Sequence, residues 1–374
     1  MLGGELRPEK SLAFATAGAK TASNQNPLMK NKVLLALLTV SLVCAPTLTH
    51  AQYQGQNNNY GVSGGNINDI SRRYCCSGTL GSLVKNASGA LYILSNNHVL
   101  ARTDQATAGE DISQPGLIDN NCQAPRIVAD FTAAVALGQN VDCAVAALRS
   151  GTMNTQGSIQ DIGTISSVVK APAVGLAVTK SGRTTGHTTG TISSINTSVS
   201  VQYQPTCGSG RKINYSYTNQ VVINSSTFSA GGDSGSLIVS NNSPTCHQPV
   251  ALLFAGSSTT TIGNPIGEVL SKLSTKLGTT VSFVGGTCSA QPGGQELQVP
   301  QQALDRANGI LEQNRHNLMS RPAVIGVGLG ALEDNFSPAI VVYVDKTNAV
   351  KPQLPAHVDN VPVRTIMTDP FIAY

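Results

Sequence analysis

Ala230-Gly231-Gly232-Asp233-Ser234-Gly235-Ser236 sets a serine among glycines, immediately ahead of the apolar run Gly235–Ser240. Taken alone, such a heptad is a tight turn leading into a strand. Two segments further upstream change that reading. Leu94-Ser95-Asn96-Asn97-His98-Val99-Leu100 puts a histidine at a strand end, and Asn140-Val141-Asp142-Cys143-Ala144-Val145 puts an aspartate at the head of another apolar strand. Each has a bland explanation, a structural histidine in one case and a turn carboxylate in the other. Their combination, in the order His, Asp, Ser within one strand-rich chain, points to nucleophilic catalysis.

The chemistry explains why these residue types are needed. A serine hydroxyl is a weak nucleophile near neutral pH and needs an adjacent base to take its proton. Imidazole suits that task because it titrates near physiological pH. His98 is therefore the expected general base, and then the acid for the leaving amine. Asp142 is expected to hold the imidazole tautomer and stabilise the imidazolium, and Ser234 to attack. The oxyanion that forms would be met by the backbone N–H groups of Gly232 and Ser234, turned inward by the flanking glycines.

Outward from the three segments, the chain is a series of short apolar runs. Thr79–Lys85, Ala90–Ser95, Val141–Leu148, Ala173–Lys180, Gly190–Asn196, Gln220–Ile223, Gly235–Ser240 and Val250–Ala255 all read as strands. Without helical patterns between them, they predict an all-β sandwich or pair of barrels. One helix is predicted at about 265–277. The 374 residues suffice for more than one core, and a charged fraction of 12% with 37 glycines suits short strands and polar turns. Beyond a Pro, Gly and Gln-rich linker at 289–301, an amphipathic pattern over Gln302–Met319 precedes three runs, Ala323–Gly330, Ala339–Asp345 and Val361–Met367. Residues 302–374 thus predict a separate small α+β module. Gly326, Gly328 and Gly330 read as a glycine-containing strand and not a nucleotide loop, since no helix pattern follows.

The N-terminus reads as an export signal. Met29-Lys30-Asn31-Lys32 is a basic start, Val33–Val43 an apolar core too short to span a bilayer comfortably, and Thr49-His50-Ala51 a cleavage site. Residues 1–28 would then be an upstream extension, with the true start at Met29. A lipid attachment at Cys44 is disfavoured by bulky Val43. Removing residues 1–51 leaves 19 basic against 18 acidic side chains, so nothing argues for nucleic acid or, after signal cleavage, membrane as partner. Residues 52–73, with Gln56-Asn57-Asn58-Asn59, read as a flexible linker, and 74–288 as the catalytic domain. An exported chain implies disulfides. Seven cysteines lie beyond the cut, so at least one is unpaired within the chain. Cys207–Cys246 and Cys122–Cys143 are the preferred pairs, although spacing does not fix connectivity. No motif calls for a metal or another cofactor.

These motifs resemble the trypsin-like, chymotrypsin-fold serine peptidases, especially the secreted bacterial branch that includes streptogrisins and alpha-lytic protease. Lys180-Ser181-Gly182-Arg183-Thr184-Thr185-Gly186 is similar to a stretch opening the second barrel there. The resemblance covers about residues 74–285. It implies two six-stranded β-barrels with the triad between them, and protein or peptide substrates. It also implies that Arg183 pairs with Asp233 to shape the oxyanion loop, and that Thr227, Phe228, Ser229, Ala255, Gly256 and Ser257 form the substrate pocket. No carboxylate lies in those stretches, so a basic residue before the cut is disfavoured and a small or apolar one is expected. His187 is a loop histidine. Asn96-Asn97 before the histidine, the Gly-Ser ending and the missing cysteines around His98 depart from the pattern. The reading is therefore a secreted serine endopeptidase. An esterase with the same triad and a catalytically silent protease-like binding or structural protein are the alternatives. The C-terminal module, which could contact the peptidase domain, is open to roles as inhibitor, folding aid or adhesion unit.

Overall fold

The computed structural model describes residues 54–243, 245–288, 300–333 and 337–374. The expected signal segment at 1–51 and nearly all of the 289–301 linker fall outside the described residues. No described helix is long and apolar enough to cross a membrane.

Two sheet systems carry the chain. The first orders its strands Val281–Phe283, Ser82–Asn86, Leu91–Ser95, Ala144–Leu148, Ile127–Ala134, Asp111–Ser113, Val62–Asn66 and Gly78–Leu80. Every pairing in it is antiparallel. The hairpin after Ser82–Asn86 shows how the sequence turns. Asn86 Oδ1 accepts the Ser88 and Ala90 amides (3.1 and 2.9 Å), and Gly89 takes a φ of 86° that a side chain would disfavour. The strands' apolar residues then meet inside. Leu83, Ile93, Val145, Phe131 and Ile112 share one buried core. The helix Ile266–Leu277, predicted to within a residue, adds Ile266, Val269 and Leu273 to that core. It ends at Gly278 (φ 64°), where a left-handed residue closes the last turn.

The second system runs Gly186–Thr191, Ala177–Gly182, Leu237–Ser240, Pro249–Gly256, Thr260–Pro265, Ile213–Asn224 and Ser194–Tyr203. Val178, Val221, Ile238 and Leu253 fill its interior. This is the two-barrel, all-β architecture that the resemblance implies, except that the first sheet orders eight described strands and not six.

The C-terminal residues are α+β as predicted, but they are not a separate module. Val324–Ala331 pairs antiparallel with Ser194–Tyr203, matching Ile195 to Leu329 and Val199 to Gly326. Pro338–Asp345, Val361–Thr368 and His357–Val358 extend the same sheet. An edge strand presents unpaired donors and acceptors, and here a neighbour satisfies them. Helix Gln301–Met319 lays Ala307, Leu311 and Leu318 against Val327, Ile340 and Val342. Gly328 lies in strand, as read, and a Cβ there would run into Thr197.

Two further expectations are corrected. The described part of the expected flexible linker, from residue 54, is structural. Val62–Asn66 is buried throughout, and Tyr60 is fully enclosed. A Cβ at Gly64 would lie 2.6 Å from Leu80 Cδ1, so the glycine-rich composition there reflects close approach of strands and not looseness. The disulfides are Cys75–Cys122, Cys76–Cys207 and Cys246–Cys288, and Cys143 is the buried free thiol. Cys143 lies in the first core while Cys122 is bonded to Cys75, and burial pushes the Cys143 pKa up.

Candidate active site

His98 sits on the short helix Asn97–Leu100, directly after the strand Leu91–Ser95. The two asparagines that depart from the family pattern fix this turn. Asn96 Nδ2 donates to Asp142 O (2.7 Å), while Asn97 Nδ2 donates to Asp104 Oδ1 (2.6 Å) and Val135 O (2.8 Å). Asp142 is fully buried. Its own N–H donates to Asn264 Oδ1 (2.9 Å), and Asn264 Nδ2 in turn donates to Gln220 Oε1 (2.7 Å). The Asp142 carboxylate accepts the His98 amide at Oδ1 (3.2 Å) and His98 Nδ1 at Oδ2 (2.6 Å). A third donor, missed by the sequence reading, is the Tyr203 hydroxyl (2.8 Å to Oδ2), which itself accepts from Tyr217 (2.7 Å). Burial pushes both phenols up and the Asp142 charge adds to it, so both stay protonated donors. A buried carboxylate needs such donors.

Ser234 lies on the turn that the glycines suggest, with Gly232 at φ 98° and Gly235 at φ 93°. Thr79 clamps that turn to the first sheet: its N–H donates to Ser234 O (2.8 Å) and its hydroxyl to Gly232 O (3.0 Å). Ser234 Oγ donates to Phe254 O (3.2 Å). The N–H groups of Gly232 and Ser234 have no acceptor among the described residues, although both residues are buried.

The expected Arg183–Asp233 pair does not form. Arg183 forks onto Asp119 instead, through Nε to Oδ2 (2.7 Å) and Nη2 to Oδ1 (2.8 Å), with Ser63 Oγ adding a donor at 2.5 Å. Asp233 is satisfied differently. Its Oδ1 takes the Thr184 and Thr185 amides (2.8 and 3.1 Å), and its Oδ2 takes Thr185 Oγ1 (2.7 Å), Ala230 N (3.0 Å) and buried Lys180 Nζ (3.4 Å). With that shell filled, the planar guanidinium finds its bidentate match elsewhere. Arg183 still touches the loop, through Nη1 to Thr184 Oγ1 (3.1 Å), whose hydroxyl holds Gly231 O (2.6 Å). Burial lowers the Lys180 pKa, and the Asp233 charge opposes that shift.

The pocket residues divide. Phe228 is fully buried in the second core, and Thr227 is exposed. Ser229 bonds Thr261 (2.5 Å). The edge at Ala255 and Gly256 is covered by the chain's own strand Phe371–Ala373, paired antiparallel as Ala255 with Ala373 and Gly256 with Ile372. Tyr374 follows. Its N–H donates to Phe254 O (3.4 Å), its hydroxyl to Ser257 O (2.8 Å), and its main-chain oxygen meets His98 Nε2 at 2.9 Å. His98 and Ser234 therefore converge on one residue: Ser234 shares Phe254 O with Tyr374 N–H, and His98 holds the Tyr374 oxygen. His187 is exposed on its hairpin, 2.8 Å from Thr179 Oγ1, and does not join the site. The Asp69, Cys76 and Cys207 cluster has ligand-like spacing, but both its sulfurs are in a disulfide.

No family model matches the chain, and no curated protein matches it. Among solved structures it is similar to a glutamic-acid-specific serine protease that uses a histidine triad in substrate binding. Identity is 22% over 59% of this chain and 98% of the other, with a TM-score of 0.41. Thermobifida fusca protease A matches at 20% over 61% and 99%, TM-score 0.40. Cellulomonas bogoriensis chymotrypsin matches at 19% over 61% and 99%, TM-score 0.40.

Proposed function

We propose that the chain is a secreted serine endopeptidase in which Ser234 attacks, His98 shuttles the proton and Asp142 orients the imidazole. The observation that carries this is the convergence on Tyr374. A buried His–Asp pair and a glycine-turned serine bracket the main chain of one extended peptide, and two amides of the serine turn have no acceptor among the described residues.

The chemistry follows from the protons. His98 Nδ1–H donates to Asp142, which leaves the Nε2 lone pair for the Ser234 proton. As Oγ bonds to the scissile carbonyl carbon, the C=O electron pair moves onto oxygen, and the Gly232 and Ser234 amides stabilise that charge. Nε2–H then protonates the leaving amine as the C–N bond breaks. Water repeats the sequence on the acyl-enzyme, returning the proton to Ser234. The Asp142 carboxylate is held in place by Tyr203 and the His98 amide. The three disulfides suit an oxidising compartment and support export.

The silent-protein reading has one observation in its favour: Ser234 Oγ points its proton at Phe254 O. One test separates the two readings. Peptide-library cleavage by the full chain, mapped by mass spectrometry, is expected to fall roughly 10⁴–10⁶-fold in Ser234→Ala. A phosphonofluoridate, given hours to compete with the tail, is expected to mark Ser234. Equal cleavage by Ser234→Ala, or an unmarked Ser234, rejects the enzyme.

A further inference from the structure

We infer that the segment Phe371–Tyr374 occupies the cleft as an intramolecular peptide ligand, and that the pocket holding Tyr374 selects an aromatic residue on the acyl side of the cut. The inference deepens the peptidase reading and rests on it for the word substrate.

A terminal strand that merely completed a sheet would need backbone pairing and nothing more. This one also places its end residue on the chemistry. The main-chain oxygen of Tyr374 can only accept, so its contact with His98 needs a hydrogen on Nε2, where the serine proton would otherwise go. While the tail is bound, the base is occupied.

The Tyr374 ring shows what the pocket accepts. It enters beside Gly256, where a Cβ would come within 2.7 Å of Tyr374 Cζ, so the glycine leaves room for a six-membered ring. The ring joins the apolar wall of the second core, and its hydroxyl finds an acceptor in Ser257 O at 2.8 Å. Burial and then the Asp233 charge push the phenol's pKa up while Ser229 pulls it down, and the Asp233 oxygens are already filled by Thr184, Thr185, Ala230 and Lys180. A carbonyl at the base of an apolar slot favours Tyr, admits Phe, and leaves a charged side chain unpaired.

The tail is delivered, not merely adjacent. Phe371 pairs parallel with Val201 and packs edge-on to Tyr343 at 5.8 Å, and Thr368 Oγ1 bonds Ser257 Oγ at 2.6 Å. Ser258 bonds Asp369 as well. These contacts hold the segment at a high local concentration, so it competes with free substrate without binding strongly on its own.

The test uses the full exported chain with two tail variants, Tyr374→Ala and Ile372→Pro, the second breaking the pairing with Gly256. Fluorogenic tetrapeptides ending in Tyr, Phe, Ala, Arg or Glu report the rate. Both variants are expected to raise kcat/KM on the Tyr and Phe substrates by roughly tenfold. The Tyr and Phe peptides should lead the set in every form. An unchanged rate in both variants, or a preference for Arg, Glu or Ala, overturns the inference while leaving the peptidase reading intact. Binding separates the opposite failure. Synthetic Phe-Ile-Ala-Tyr acid, titrated by calorimetry into chains carrying Ser234→Ala, should bind the Tyr374→Ala form and not the chain with its native tail. Binding without hydrolysis in any form would retain the occupant and reject the enzyme. Equal binding to both forms would reject the occupant.

Discussion

Replacing Tyr203 by Phe should expose how the buried aspartate is held. The substitution keeps the ring, which lies edge-on to His98 at 6.0 Å and to Tyr215 at 5.4 Å, and removes only the hydroxyl. Two consequences follow from the geometry. Asp142 loses a charge-assisted hydrogen bond, worth about 1.5–3 kcal/mol. The Tyr217 hydroxyl loses its acceptor inside the protein, at a further cost of about 1–3 kcal/mol. The single variant should thus lose about 2.5–6 kcal/mol. Tyr217→Phe alone leaves Tyr203 donating to Asp142 and should cost about 1 kcal/mol. In the double variant no hydroxyl is stranded, so its loss should be no larger than that of Tyr203→Phe by itself. The cycle predicts a coupling of about 2 kcal/mol, read from urea unfolding of the four full-length chains at one pH with equal slopes. Losses that add to within about 0.5 kcal/mol would refute the relay from Tyr217 through Tyr203 to Asp142.

The remaining predictions concern buried charge. Asp69 is pushed up to about 6, chiefly by burial, with His98 and Arg102 pulling the other way. Folded protein thus holds that proton more tightly than unfolded chain, whose carboxyl titrates near its ordinary 3.8. Its contribution to stability is complete below about pH 4 and is lost as pH rises through about 6. Asp69→Asn, which mimics the protonated form, should be more stable than the parent by about 3 kcal/mol at pH 7.5 and no more stable at pH 4, by urea midpoint. An offset independent of pH would contradict this. Asp119→Ala strands Arg183 and should cost about 3–5 kcal/mol, whereas Arg183→Met with Asp119→Leu should cost less than Asp119→Ala alone. A double variant that sums the two single losses would show that Arg183 and Asp119 do not act as a pair.

What the sequence revealed was what local pattern encodes. The runs Leu91–Ser95, Pro249–Gly256 and Ile266–Leu277 are found within a few residues of their predicted places, because period and turn chemistry lie in neighbouring residues. The three candidate segments stand out in the sequence because glycine turns and strand ends mark them locally. Val62–Asn66 was not. Its Ser-Gly-Gly-Asn composition looks like a linker, and its burial comes from strands that pass too close for side chains. The disulfides failed similarly. Cys75 and Cys76 are adjacent, yet they bridge to Cys122 and Cys207, and only the folded chain brings those partners near. Arg183 was assigned to the nearest motif acid, while its partner Asp119 stands 64 positions away. Tyr203 and Tyr217 sit in an unremarkable run, and nothing local marks a phenol that will meet Asp142.

The unread C-terminal strand has a physical logic that joins these observations. On the peptidase reading the cleft must keep a strand edge open, because an extended substrate binds by adding to it. An open edge is also a site for unwanted pairing. Here the Ala255–Gly256 edge is covered by Ile372 and Ala373 of the same chain, which lie between it and Val201–Gln202. The same stretch of sheet, Ser194–Tyr203, also carries Val324–Ala331 from the C-terminal residues. The sheet that anchors those residues therefore aims their last strand at the cleft. Had they formed a detached domain on a flexible tether, entry of the tail would be a matter of chance encounter. Continuity of the sheet makes it a matter of register, and that register sets Tyr374 against His98.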